Sequence, residues 1–389
     1  MYNFVYDIPT KIYFGDNQLS HLGEELKKYG KRVLLCYGGG SIKKIGLYDK
    51  IVAEIEKAGL ELFELNGIEP NPRITSVNKG AKICKESHID VLLAVGGGSV
   101  IDCTKFIGAG AFYNGDAWDL VTRKAPITNC LPIVSILTLA ATGSEMDCGG
   151  VISNLDTNDK IGMGAPCMRP KVSFLNPRDT FSVSEYQTAC GSSDIMSHII
   201  ETYFNPSGSM YMLDTFMEGM LKTVVKYAPI AIKEPNNEEA RANLMWTSSW
   251  AINDFISSCQ SCNWTCHSIE HQLSAYYDIT HGLGLAIVTP RWMRYILDED
   301  NAQRFRNFAV EVFGIDKNLD NMIAAQKGIE ALEDFLFNKL NLTSTLTELG
   351  IDSTHFESMA KKACGKSGVL KGYKHLTVED VINIYNMCL

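Results

Sequence analysis

A chain of 389 residues, 46% hydrophobic and 21% charged, has an ordinary globular composition and enough length for two domains, each with its own core. Its net charge of −9, with no basic tail, argues against nucleic acid or an anionic membrane surface as the main partner. No apolar run reaches the ~20 residues that span a bilayer. The opening MYNFVYDIPTKIYFGD lacks a positive stretch followed by an apolar one, so the expected location is the cytoplasm.

The first half alternates short β-branched runs with amphipathic segments, which predicts βα units on a mostly parallel sheet. Strands are expected at Lys11 to Phe14, Arg32 to Tyr37, Leu62 to Leu65, Asp90 to Val95, Ile133 to Leu137 and Val172 to Leu175. Between them, NQLSHLGEELKKYG and GLYDKIVAEIEKAG carry helical periodicity and end in a glycine suited to a C-terminal cap. The stretch GVISNLDTNDKIGM, polar at its centre with apolar arms, predicts a hairpin before the last strand.

Two of the strands run into nearly the same sequence, RVLLCYGGGSIKK and DVLLAVGGGSVID. A glycine turn leaving a strand lets backbone N–H groups approach a phosphate, and the helix that follows adds a partial positive charge. Neither loop matches G-x-G-x-x-G or the P-loop, and either alone could be a tight turn. With a third loop at TLAATGSE, residues 138 to 145, the pattern points to a dinucleotide held at several points.

After Asn176-Pro177 the texture changes. Segments such as MLDTFMEGMLKTVVKYAPIAI and MIAAQKGIEALEDFLFNKL have a 3.6-residue period and few β-branched runs. The expected organisation is therefore an α/β dinucleotide-binding domain over residues 1–180 and an all-helical metal-binding domain over 181–389.

The metal expectation rests on two segments. In Gly191 to Glu201, Asp194 and His198 are one helical turn apart and Glu201 continues the stripe. In HSIEHQLSAYYDITHG, residues 267 to 282, His267-Ser-Ile-Glu270-His271 fits H-x-x-E-H, a zinc-peptidase signature, and His281 follows ten residues later. Spacing alone leaves two readings: both His267 and His271 on one ion, or one of them a ligand and the other not. The cluster Cys259, Cys262, Cys266 has no second cysteine pair at ribbon spacing, so it reads as free thiols, like the rest of the twelve cysteines.

Taken together, GGGSVID at 96 to 102, TLAATGSE, the Asp194-x3-His198-x2-Glu201 segment and HSIEHQLSAYYDITHG resemble the iron-containing alcohol dehydrogenase family, in order and spacing, across essentially the whole chain. YGGGSIKKIGLYDKI resembles the NADPH-dependent butanol dehydrogenase and aldehyde reductase branch. The resemblance implies a Rossmann-like α/β domain plus an all-α domain, the dehydroquinate synthase-like architecture. It implies hydride transfer between NADP(H) and a small primary alcohol or aldehyde, with Fe(II), or Zn, Ni or Mn, at the metal site. It also implies metal ligation by Asp194, His198, His267 and His281, with His271 catalytic and off the metal. The cofactor contacts it implies are Gly39, Gly40, Ser41, Asn71, Gly97, Gly98, Ser99, Asp102, Thr138, Thr142 and Lys160.

NAD-using members tend to carry Asp where this chain has Ser41, so the serine, with Lys43 and Lys44 beyond it, favours a 2′-phosphate. A homodimer built on the N-terminal strand is expected. The rival reading is a metal- and NAD-dependent lyase-cyclase of the dehydroquinate synthase type. Its charged substrate calls for a cluster of cationic residues beside the metal motifs, where the sequence has none.

Overall fold

The computed structural model describes residues 3–207, 210–258 and 262–389 and divides into two compact units. One comprises residues 7–183 with 248–253; the other comprises 184–247 and 254–389 together with the chain start up to Tyr6.

In the first unit, strands β1 (Lys11–Phe14), β2 (Arg32–Tyr37), β3 (Glu61–Leu65), β4 (Val91–Gly96), β5 (Ile133–Leu137) and β8 (Val172–Leu175) form a parallel sheet in the order β1-β8-β5-β4-β2-β3. Strands β6 (Gly149–Asn154) and β7 (Asp159–Gly164) form the expected hairpin. Leu34, Leu35, Leu92, Leu93 and Val134 are fully buried, as strands covered on both faces require. Helices α1 (Leu22–Lys27) and α3 (Leu47–Lys57) turn apolar faces, including Ile51 and Ile55, into the same core. Helices α2 (Ser41–Lys44), α4 (Ile74–Glu86), α5 (Gly98–Gly110) and α6 (Trp118–Val121) complete the unit's helices. From β2 the chain moves outward to β3, then crosses back to β4 on the other side of β2. The glycine loops after β2 and β4 therefore flank the point where strand order reverses, the usual ligand position in open α/β sheets.

Glu25 on α1 is nearly buried and accepts from Lys11 Nζ (2.6 Å), Tyr13 OH (2.7 Å) and Lys28 Nζ (2.6 Å), pinning the edge strand β1. Burial opposes its ionisation, but the bonds from Lys11, Lys28 and Tyr13 outweigh it and pull the carboxyl down to about 2. A carboxyl lowered on folding stabilises above its unfolded value of 4.5 and loses that contribution as pH falls through about 2. Glu25→Gln is expected to cost ~1–2 kcal/mol at pH 7, discounted for the half-exposed lysines, and to flatten acid unfolding between pH 4.5 and 2. Urea titrations across that pH range check it.

In the second unit, α7 (Glu185–Tyr203) is capped by Ser184, whose hydroxyl accepts from Gln187 N, and is buried throughout from Thr188 to Tyr203. The unit also contains α8 (Tyr211–Lys233), α9 (Glu238–Ala251) up to Thr247, α10 (Thr265–Tyr277), α11 (His281–Ile296), α12 (Ala302–Phe313), α13 (Asn321–Glu333), α14 (Phe356–Cys364) and α15 (Val378–Met387). The short strands β9 (Val369–Leu370) and β10 (Leu376–Thr377) make an antiparallel pair. Among the described residues no helix is long and apolar enough to cross a membrane. Eleven cysteines are free thiols, Cys262 and Cys266 among them, while Cys259 lies outside the described residues.

Candidate functional site

Two groups of side chains in the helical unit meet because three helices present them. Asp194 and His198 stand on α7, His267 and His271 on α10, and His281 opens α11. Nε2 of His198, His267 and His281 lies 3.6, 3.7 and 3.7 Å from one atom, Asp194 Oδ1. Donors ~2.1 Å from a shared ion at tetrahedral angles are ~3.4 Å apart; Asp194, His267 and His281 bring ligand atoms within 4.8 Å of one another, as a shared divalent cation requires, while His198 reaches Asp194 but stands outside that group. Asp194 Oδ1 and His267 Nε2 are buried without a hydrogen-bond partner among the described residues. Such orphaned groups are costly, and a cation between them satisfies both.

Burial pushes the Asp194 carboxyl up, yet the nearby His198, His281 and His267 hold it well below the usual carboxylate range. Burial lowers His198 to about 4. At His267 burial also opposes the charge, but Glu201 and Asp194 raise it to about 9.

Two buried glutamates stand behind the imidazoles. Glu201 Oε1 contacts His267 Nδ1, and Glu201 Oε2 accepts from Cys266 N at 2.7 Å. Glu270 Oε2 contacts His281 Nδ1, and its Oε1 accepts from Ser274 Oγ. Glu270 therefore contacts an imidazole and a hydroxyl, and His267 and His271 do not fall in one cation-capable group, which is not the arrangement that the H-x-x-E-H peptidase reading requires. His271 groups with Glu270 and His281, its ring centroid 5.5 Å from that of His281, while Asp194 groups with His267 and His281. Glycines allow the helices this close: a Cβ at Gly282 would sit inside the carbonyl oxygen of Cys190 on α7, and one at Gly284 would lie 2.6 Å from Glu270 Cγ.

In the α/β unit, Gly97 is the N-cap of α5 and Gly98 its first residue, with Ser99 partly exposed beside them. A Cβ at Gly98 would overlap the Thr142 side chain, so glycine brings the helix start against the TLAATGSE loop. Thr138 N donates to Gly96 O at 3.0 Å, joining that loop to the β4 loop. Gly39 has open space around it, and Gly40 adopts φ +99°, a backbone that favours glycine, with exposed Ser41 starting α2. Asn71 holds φ +49° while buried, and the carbonyl of neighbouring Pro72 accepts from Ser153 N on the hairpin.

Asp102 turns inward: Oδ1 accepts from Ser144 Oγ at 2.5 Å and Oδ2 from Val151 N at 2.8 Å. Burial raises its carboxyl, against the charges of Lys105 and Lys160, the latter itself buried on β7. Asp102, still partly exposed, thereby ties the start of α5 to the TLAATGSE loop and to the hairpin. Lys105 is the residue sequence reasoning missed. Fully buried, its Nζ donates to Ser144 Oγ (2.8 Å) and Gly149 O (2.6 Å) and pairs with Asp147. The signal available was a lone lysine inside the apolar helix VIDCTKFIGAG.

A family model described as iron-containing alcohol dehydrogenase matches residues 9–177, and one for the C-terminal region of the Fe-containing alcohol dehydrogenase family matches 188–389. The chain is 50% identical over 386 residues to NADH-dependent butanol dehydrogenase A of Clostridium acetobutylicum, covering 99% of each. It is 35% identical over 370 residues to the NADPH-dependent aldehyde reductase YqhD of Escherichia coli, covering 93% of each. The crystal structure of NADH-dependent butanol dehydrogenase A from Thermotoga maritima superposes with a TM-score of 0.94 at 38% identity, covering 99% of this chain and 98% of that one.

Proposed function

The chain belongs to the iron-containing alcohol dehydrogenase family, and from that membership we propose that it is a metal-dependent alcohol dehydrogenase and aldehyde reductase. It transfers hydride between NADP(H) and a small primary alcohol or aldehyde of the butanol and butyraldehyde type. The observation that carries this reading is the convergence of three imidazole Nε2 atoms on orphaned Asp194 Oδ1. The family match sets the lyase-cyclase alternative aside.

A divalent ion, Fe(II) by family and Zn, Ni or Mn by donor set, supplies Lewis acidity toward a carbonyl oxygen when bound. Asp194, His198, His267 and His281 would hold it. The N–H groups of Gly97, Gly98 and Ser99 at the start of α5 bind pyrophosphate oxygens. Thr138, Thr142, Asn71 and Lys160 complete the dinucleotide contacts, and Asp102 keeps their loops in register. His271 takes or returns the alcohol proton through its imidazole nitrogen. A homodimer built on β1, an edge strand, and a reducing cytoplasmic setting belong to the same reading.

The cofactor choice rests on Ser41. No carboxylate stands at that position to repel a 2′-phosphate. Lys43 is drawn elsewhere: its Nζ lies 4.4 Å from the Tyr48 ring centroid, and Tyr37 and Tyr48 donate to Glu64. Exposed Lys44 and the Ser41 hydroxyl remain for the phosphate. The relatives named above use NADH in two cases and NADPH in one, so the preference is expected at the low end, roughly tenfold for NADPH, worth ~1.4 kcal/mol. Ser41→Asp should reverse it. Butyraldehyde reduction by each cofactor, in both variants and before and after chelation, tests the whole reading. Turnover that survives complete metal removal overturns the metal role; an NADH preference that Ser41→Asp leaves unchanged overturns the placement of the 2′-phosphate.

A further inference from the structure

We propose that Glu270 is a positioning residue for the metal, with Glu201 as its counterpart: each glutamate takes the Nδ1 proton of one ligand histidine and so fixes which nitrogen faces the ion. The inference rests on the reading of Asp194, His198, His267 and His281 as the ligand set.

A neutral imidazole carries its proton on one nitrogen and a lone pair on the other, and the hydrogen bond at one side decides which side can bind. At His281 the Nδ1 proton goes to Glu270 Oε2, leaving the Nε2 lone pair toward Asp194. At His267 the same assignment follows from Glu201, itself steadied by Cys266 N. Both carboxylates are nearly sealed from water, Glu270 completely, and a buried carboxylate persists only where donors meet its oxygens. Ser274 meets the other oxygen of Glu270. Space for the Glu270 side chain exists because residue 284 has no Cβ.

The three histidines are not held alike. His198 Nδ1 is buried with no acceptor among the described residues, and its ring is steered by stacking on His267 (4.6 Å, 18°) and by the edge of Trp264 (5.5 Å, 88°). His281 has the opposite problem. With a side chain 22% exposed at the first residue of a helix, it is the least enclosed of the three, and the Glu270 carboxylate is a group that holds its orientation. Glu270 therefore governs how firmly the ion is retained.

The probe is Zn(II) alone, with affinity read by competition against a chromophoric chelator. The second readout is the visible absorption of the Co(II)-loaded protein, which follows ligand geometry. Glu270→Leu is expected to weaken Zn(II) binding ~10–100-fold and to change the Co(II) spectrum. Glu270→Gln retains an acceptor for Nδ1–H and a group for Ser274, so it should recover most of the affinity and the parent spectrum. Ser274→Ala, the mildest change, should fall between the parent and Glu270→Leu, and it serves if the leucine variant does not fold. The metal-induced rise in Tm should shrink in the same order while the metal-free Tm changes little. Asp194→Ala is the control. If it binds Zn(II) like the parent, the ligand set itself is wrong; if it loses Zn(II) while Glu270→Leu and Ser274→Ala bind at parent affinity with the parent spectrum, the positioning role is overturned.

Discussion

Asp194→Ala is expected to leave the protein folded, nearly free of metal, and slower by on the order of 10²–10³-fold or more in kcat/KM. That is the range lost when one electrostatic stabiliser of a transition state is removed. The reason is geometric: Asp194 Oδ1 lies within 3.7 Å of all three Nε2 atoms, so its loss removes a negative donor that the imidazoles share. His267→Ala and His281→Ala should behave similarly. His271→Ala should differ in kind, keeping the metal while losing ~10²–10⁴-fold in rate, the usual contribution of a proton-transfer group. Elemental analysis beside kinetics distinguishes them. If His271→Ala empties the site and His281→Ala does not, the division of roles between these two histidines is reversed.

Gly282→Ala should be nearly as damaging for a different reason. Its added methyl group meets the Cys190 carbonyl oxygen, a backbone atom inside a buried helix that cannot rotate away. Helix α11 must lift off α7, carrying His281 with it. An overpacking cost of ~1–3 kcal/mol corresponds to a Tm lower by roughly 3–10 °C, with weaker metal retention alongside. Gly219→Ala is the contrasting control, because a Cβ at Gly219 meets no atom within 4 Å. A Gly282→Ala protein with parent Tm and parent metal content would show that α11 can approach α7 without glycine.

The strands were legible in the sequence because a parallel sheet buried on both faces needs unbroken apolar runs, and RVLLCY and DVLLAV have no other plausible use. Asp194 and His198 were legible because i and i+4 share a helix face in any context. What Glu270 faces was not. H-x-x-E-H puts the glutamate on α10, but its partner is set by where α11 docks, a tertiary fact absent from the motif. Lys43 shows the converse limit: beside a glycine loop it looked ready for a phosphate, and two tyrosine rings near it take its charge instead. At the end of α13 the helical pattern EALEDFLFNKL continues evenly, yet residues Asp334–Lys339 adopt a π turn. Six residues are too few for side-chain spacing to separate 3.6 from a wider period.

The edge position of β1 has a consequence for synthesis. Its ladder partner is β8, and Lys11 pairs with Val172, so β1 leaves the ribosome well before the segment it pairs with and waits for it. At ~5–20 residues per second that wait is roughly 8–30 s, during which an apolar strand with free backbone groups is exposed to other nascent chains. The charged groups beside it are Lys11 at its start, tethered to Glu25, and Asp16 two residues past its end, and charge on an edge strand opposes pairing with other chains. Closing a loop of this length also places the sheet's completion late, after the β2-β4-β5 centre has formed.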